Sequence, residues 1–319
     1  MDPRTPRPLL LALALALAAS GPAAAKAARP APRRGRAAAC DRACLDSMVD
    51  RYIDAMIART PGALPWANRV RYSENNVSMM IGDGLWATIT SRTTTPLRAA
   101  DPASGQAVWM GEIADHGQPG FMALRLEIEG GKIAEAEAVL RRKGGPPQYG
   151  DPDAYAHDPA FAASAKVAKP LAAKALIGIV DGWFDAVQGR RGAAPRIAPG
   201  CERQDNGVAT SSGPTAEGGV QGCAAQIRAG LFKPIERVRA RRYPVVDTAR
   251  GVVVASGFFD LPGAEPKPDP ARGLPWAADY PFSVAFISAF KIDKGGVWRV
   301  DTISNAEPYL MPSPWGGTK

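Results

Sequence analysis

The chain has 319 residues, 46% hydrophobic and 22% charged, with 33 glycines and 30 prolines. That composition excludes a disordered tail, a collagen-like repeat and a coiled coil, and the length allows one large domain or two ordinary ones. The net charge of +8 is concentrated at the start: residues 1–25 carry +1 and residues 26–36 carry +5, which leaves +2 elsewhere and no case for nucleic acid as a partner.

Residues 1–25 have the three parts of a signal peptide: Arg4 and Arg7, an apolar run from Leu9 to Ala19, and small residues at Ala23-Ala24-Ala25. The run is about half of the ~20 residues that a membrane-spanning helix needs. The expectation is cleavage near Ala25–Lys26 and a periplasmic or secreted product with no stable membrane anchor. Residues 26–39 follow as a basic Ala/Pro/Arg-rich spacer.

Export makes the four cysteines readable as disulfides. Cys40 and Cys44 are four apart and Cys201 and Cys223 are 22 apart. These two local pairs are the most economical of the three connectivities, which the sequence leaves open. A metal is not expected, because the chain has no CxxC and only two histidines. His116 falls in a polar turn and His157 in a Pro/Asp-rich stretch, and both read as solvated. Without an imidazole beside a nucleophile, Ser-His-Asp and Cys-His mechanisms drop out. No glycine-rich phosphate cradle joins a strand to a helix, so no nucleotide or other cofactor is implied.

The first element is a helix, with apolar residues at Leu45, Met48, Val49, Tyr52, Ile53, Met56 and Ile57. An offset of 131 carries that stripe onto Leu176, Ile179, Val180, Trp183, Phe184, Val187 and Gln188, and carries Glu74-Asn75 onto Asp205-Asn206. An offset of 146 carries Asp101 and Gly105 onto Asp247 and Gly251, each leading into a β-rich run. An offset of 164 carries Ile133, Glu137 and Val139 onto Val297, Asp301 and Ile303. Offsets that only grow are what insertions in surface loops produce, so the chain reads as an internal duplication. The organisation is a first domain over 40–143, a Pro/Asp-rich connector over 144–172 and a second domain over 173–319. Each has a helix, a Pro/Gly-rich connection, then strands with hairpin turns at Asp115-His116-Gly117, Glu129-Gly130-Gly131 and Lys294-Gly295-Gly296. The fold class is α+β, with a helix against a curved antiparallel meander in each domain.

A helix, a strand carrying Glu/Asp-Asn and a meander closing in Ile/Val-x-x-x-Glu/Asp resemble the nuclear transport factor 2-like cone, also called SnoaL-like or ketosteroid-isomerase-like. More closely, the chain resembles a family of secreted fungal and bacterial proteins with two such cone-shaped barrel repeats. The text that carries it is Arg71-Tyr72-Ser73-Glu74-Asn75, Gly82-Asp83-Gly84-Leu85-Trp86, Cys201-x-Arg203-x-Asp205-Asn206-Gly207, Arg241-Arg242-Tyr243-Pro244, Gly257-Phe258-Phe259-Asp260 and Pro308-Tyr309-x-Met311-Pro312-Ser313-x-Trp315. The match covers nearly the whole mature chain, and its motifs carry no agreed chemistry. The resemblance implies an apolar pocket at the cone's mouth, and relatives of the fold place acid/base carboxylates there. Many single-cone relatives dimerise, so a homodimer is an expectation too.

Alternation puts Val70, Tyr72 and Glu74 on one strand face, and Cys201, Arg203 and Asp205 on the corresponding face. Glu74 and Asp205 are the candidate catalytic carboxylates; the alternative is that they cap turns or pair with Arg71 and Arg203. Asn75 and Asn206 are candidates for orienting a substrate oxygen, or ordinary turn residues. Asp83, between two glycines, has the same two readings. Tyr72, Trp86 and Trp109 suit either stacking on an aromatic ligand or the core. Asp260 reads as either an ion-pair partner of Arg241 and Arg242 or part of a site. The function expected is cofactor-independent lyase, isomerase or dehydratase chemistry on a small apolar or aromatic compound. The alternatives are a non-catalytic binding protein for such a ligand, or a structural and interaction module with filled pockets.

Overall fold

The computed structural model describes residues 40–165, 170–189, 194–263 and 280–316. The signal-peptide and spacer readings fall on residues outside these.

Helix α1 (Arg42–Ile57) starts where the Asp41 carboxylate accepts the Cys44 N–H at 2.9 Å, an N-cap that satisfies one of the unpaired donors of the first turn. It buries the stripe that its periodicity marks, from Leu45 to Met56. The strands of the first half are β1 (Trp66–Glu74), β2 (Val77–Ser78), β3 (Ile89–Arg92), β4 (Leu97–Asp101), β5 (Gln106–Asp115), β6 (Gln118–Glu129) and β7 (Lys132–Arg141), with the short helix α2 (Leu85–Thr88) between β2 and β3. They form one sheet in the order β2-β1-β7-β6-β5-β3, with β4 also on β5.

The second half has helix α3 (Ala173–Val187), β8 (Ile197–Asp205), β9 (Val208–Ala209), helix α4 (Cys223–Ala229), β10 (Arg237–Asp247), β11 (Val252–Leu261), β12 (Phe282–Asp293) and β13 (Gly296–Pro308). Its sheet runs β9-β8-β13-β12-β11-β10, the same order as β2-β1-β7-β6-β5-β4. Neither sheet is the antiparallel meander expected. Each is mixed, because β1 lies parallel to β7 and β8 parallel to β13. The closing strand reaches the first one only after a long crossover, and no local turn signal encodes its sense.

α1 and one face of the first sheet bury one core; α3 and one face of the second bury another. The two outer sheet faces then pack on each other through Val108, Phe121, Val139, Val254, Ile287 and Ile303, joined by Tyr155 and Phe161 from the connector. The described residues therefore stack as helix, sheet, sheet, helix. The turns entering β5 and β11 show how closely the halves agree. Gly105 (φ +69°) and Gly251 (φ +63°) each offer their carbonyl to an N–H, from Ile128 at 2.8 Å and Ile292 at 2.7 Å. A Cβ at either glycine would stand 2.6 Å from the carbonyl oxygen of that same isoleucine, so only glycine fits.

Both disulfides are the local ones, Cys40–Cys44 and Cys201–Cys223; the second ties β8 to the start of α4. Among the described residues no helix is long and apolar enough to cross a membrane.

Candidate functional site

β1 turns its last alternate residues inward, so Tyr72 and Glu74 are both buried at its end. The Glu74 carboxylate accepts the Tyr72 hydroxyl at 3.0 Å and the Leu85 backbone N–H at 2.7 Å, both on Oε2. It thus caps α2 from a neighbouring strand, behind Gly84, whose φ is +63°. Burial, with Tyr52 and Glu74 alongside, holds the Tyr72 phenol protonated as the donor of that pair. On Oε1, Glu74 meets Arg142 Nη2 at 3.3 Å, not Arg71, which pairs with Glu135. Arg142 also donates from Nε to the Asp115 carboxylate. Burial would raise the Asp115 carboxyl, but the Thr88 hydroxyl, the Arg142 guanidinium and the adjoining His116 outweigh it and hold the group below the usual carboxylate range.

Arg142 is half-exposed because it faces a cleft of about 990 Å³. The walls are apolar at Ile113, Phe121, Leu140 and Tyr149, and polar at Asp115, His116 and Lys143. Tyr149 is fixed by its hydroxyl on the Pro119 carbonyl at 2.6 Å and by an edge-on contact with Phe121, ring centres 5.4 Å apart. The connector thereby closes one side of the cleft through Tyr149 to Pro152. This is a volume typical of small-molecule sites, with Thr88, Gln118, Arg141 and Asp151 adding to the polar lining.

The second half presents a different geometry. Arg203 is buried and donates to Asp205 Oδ2 at 2.8 Å, Glu217 Oε2 at 3.0 Å, Thr210 Oγ1 at 3.1 Å and Gln226 Oε1 at 3.2 Å. Burial opposes its charge, but the Asp205 and Glu217 carboxylates more than compensate and raise it. Asp205 takes a further bond from the Thr210 hydroxyl. Asp205, Thr302 and Ser304 line a cavity of about 50 Å³ together with Trp183, Phe184, Phe290, Pro147 and Gln148. On that measure the space takes about three or four waters.

The remaining candidates are structural. Trp86 donates from Nε1 to the Tyr52 hydroxyl at 3.2 Å, with ring centres 5.1 Å apart, and both are fully buried; with Tyr72 they are core, not a stacking platform. Asn75 takes the Leu140 N–H at 2.7 Å and donates to the Leu140 carbonyl at 3.2 Å. Asn206 takes the Ser304 N–H at 2.8 Å and donates to Ser304 Oγ at 3.2 Å and the Gln148 carbonyl at 3.1 Å. Each amide continues the parallel pairing beyond the end of its strand, so these side chains are tied to the neighbouring strand. Asp83 is exposed in the turn before α2. Asp260 is buried against Arg237 and Arg239, whereas Arg241 pairs with Asp181 and Asp185 and Arg242 with Glu137.

His116 is exposed, 3.1 Å from Asp115 at the rim of the cleft. His157 is not solvated as its surroundings in sequence suggest: its side chain is 7% exposed, with Nδ1 2.8 Å from Asp301 Oδ2. The connector folds over the second sheet and buries it. Sequence reasoning passed over Arg142 and Asp115. The only signals were the Arg141-Arg142-Lys143 run closing β7 and the carboxylate opening a hairpin turn. Among the described residues no group of three or more His, Cys, Asp or Glu side chains is disposed to hold a metal.

A protein family described as a domain of unknown function (DUF8021) matches residues 170–304. That stretch runs from the end of the connector through α3 into β13, so the likeness falls on the second half. No curated protein matches the chain.

Proposed function

We propose that the chain is an exported protein of two tandem nuclear transport factor 2-like cones that binds a small apolar or aromatic molecule. The duplication reading is supported by the common strand order, by the paired glycine turns at Gly105 and Gly251, and by the matching Asn75 and Asn206 clasps. Export is supported by two disulfides, which persist in oxidising compartments. In this reading the halves have diverged. The first has a cleft of about 990 Å³ beside Arg142, the partner of Glu74; the second has a space of about 50 Å³ beside Asp205.

One observation carries the ligand site: the 990 Å³ cleft ends on a half-exposed guanidinium that joins two carboxylates. Its apolar walls bury the body of a flat ligand, and Arg142 meets a polar substituent. Binding is better supported than turnover. A general base works best with a pKa near ambient pH, and Asp115 is held low. The cofactor-independent lyase or isomerase reading keeps one specific support: a ligand that draws Arg142 away would uncover the Glu74 carboxylate.

Thermal-shift screening against small aromatics, sterols and organic acids tests this. A ligand at a hundredfold excess over its Kd stabilises by about 2.7 kcal/mol. A hit that weakens in Arg142→Gln supports the cleft, and conversion of that hit lost in Glu74→Gln would restore the enzyme reading. A flat response in wild type favours a structural module with filled pockets.

A further inference from the structure

We propose that the Cys40–Cys44 disulfide is a thiol–disulfide exchange site, at which a low-molecular-weight thiol adds to Cys44. The two disulfides of the chain sit in opposite settings. Cys201 and Cys223 are 4% and 1% exposed and join β8 to α4 within the second core. Cys44 is exposed on the first turn of α1, whereas Cys40 is half-buried just ahead of the helix and packs against the first core. Exchange requires a thiolate to reach a sulfur, so it proceeds at the pair that solvent touches. Of that pair, Cys44 is the sulfur that an incoming thiolate meets first.

The start of α1 is held in place without this bond. Asp41 caps the helix through the Cys44 N–H, and the Leu45 N–H donates to the Asp41 carbonyl at 2.9 Å. Arg42 pairs with Asp247 at 2.7 Å, at the end of β10, and so fixes the same turn to the second half. A bond between residues four apart also adds less by loop closure than one between residues 22 apart. The pair therefore opens and closes on a helix that stays where it is.

The exchange balances with a small thiol and its own disulfide as the only co-reactants. The thiolate forms a bond to Cys44 Sγ while the Cys40–Cys44 bond breaks, and the electron pair leaves on Cys40 Sγ, which takes up a proton. A second thiolate then attacks the small-molecule sulfur of the mixed disulfide. It releases the small disulfide, and Cys44 departs as a thiolate that is protonated in turn. Two small thiols have then been oxidised to one disulfide, and the protein pair has been reduced to two thiols. The reverse sequence closes the pair again. The inference does not rest on the cleft or its ligand.

The test exposes the folded protein to reduced glutathione and then to oxidised glutathione. Samples are quenched with acid, alkylated and mapped by mass spectrometry, with circular dichroism recorded alongside. The proposal expects Cys40–Cys44 to open about tenfold or more faster than Cys201–Cys223, with helix content unchanged, and to close again under oxidised glutathione. Single variants then locate the reacting sulfur. Cys40→Ser leaves Cys44 as a free thiol, which should take up glutathione from oxidised glutathione about tenfold or more faster than the free Cys40 of Cys44→Ser. A pair that stays closed under reduced glutathione, two pairs that open at one rate, helix lost on opening, or Cys40 reacting as fast as Cys44 would each overturn it. The first three readings use the wild-type chain and need no variant to fold.

Discussion

Arg142 Nη2 stands 3.3 Å from Glu74 Oε1 while its Nε meets the Asp115 carboxylate, so one side chain joins the ends of β1 and β5 at the floor of the cleft. Glu74 is 8% exposed, and Arg142 supplies its only cation among the described contacts. Arg142→Ala should therefore destabilise the fold by about 1 kcal/mol, because Glu74 keeps its bonds to Tyr72 and Leu85 and loses the cation that balances its buried charge. Glu74→Gln should cost less, because an amide oxygen still accepts from Tyr72 and Leu85. Urea denaturation of both variants checks the order.

The two asparagine clasps predict unequal losses. Asn206 is fully buried and bonds three groups, whereas Asn75 is half-buried and bonds the backbone of Leu140 alone. Asn206→Ala should cost about 2–3 kcal/mol and Asn75→Ala about 1 kcal/mol, measured by the same denaturation.

The disulfides should also differ. Closing the 22-residue separation of Cys201 and Cys223 removes more chain entropy from the unfolded state than closing the separation of four between Cys40 and Cys44. Serine at both ends of the longer loop should lower stability by about 3 kcal/mol, against about 2 kcal/mol for the shorter one. Equal losses would point to strain or contacts rather than loop closure.

Glu307, near the end of β13, gives a pH signature. Burial pushes its carboxyl from 4.5 up to about 7, opposed only by a hydrogen bond from Asn305. Between those values the unfolded chain releases the proton that the folded chain keeps. Raising the pH through this window therefore lowers stability, and the loss is complete above the folded value. Glu307→Gln should match wild type at about pH 4 and show the higher Tm at about pH 8. A Tm difference independent of pH would assign the effect to packing instead.

Much of this architecture is legible in the sequence, for reasons tied to particular residues. Helical periodicity marks α1 and α3, and alternation places Tyr72 and Glu74 on the inner face of β1. The turns at His116, Gly130 and Gly295 carry the positive φ that their residue types favour. The parallel pairings of β1 with β7 and β8 with β13 have no comparable local cause. Nor does the reach of Arg142 to Glu74, 68 residues away along the chain. The connector misleads in the other direction: its Pro/Asp-rich composition suggests solvent, yet Tyr155 and Phe161 anchor it to the intersheet core and take His157 inside.

The most direct test of the central claim follows the exposed imidazole of His116, which borders the cleft, while His157 serves as an internal control. Small aromatic compounds are titrated into the protein and both imidazole signals are recorded by NMR. The account predicts that a binding compound shifts His116, leaves His157 in place, and does so more weakly in Arg142→Gln. Bound compounds that leave His116 unmoved, or affinity unchanged by Arg142→Gln and lost in Asp205→Asn, would contradict it and move the site to the second half.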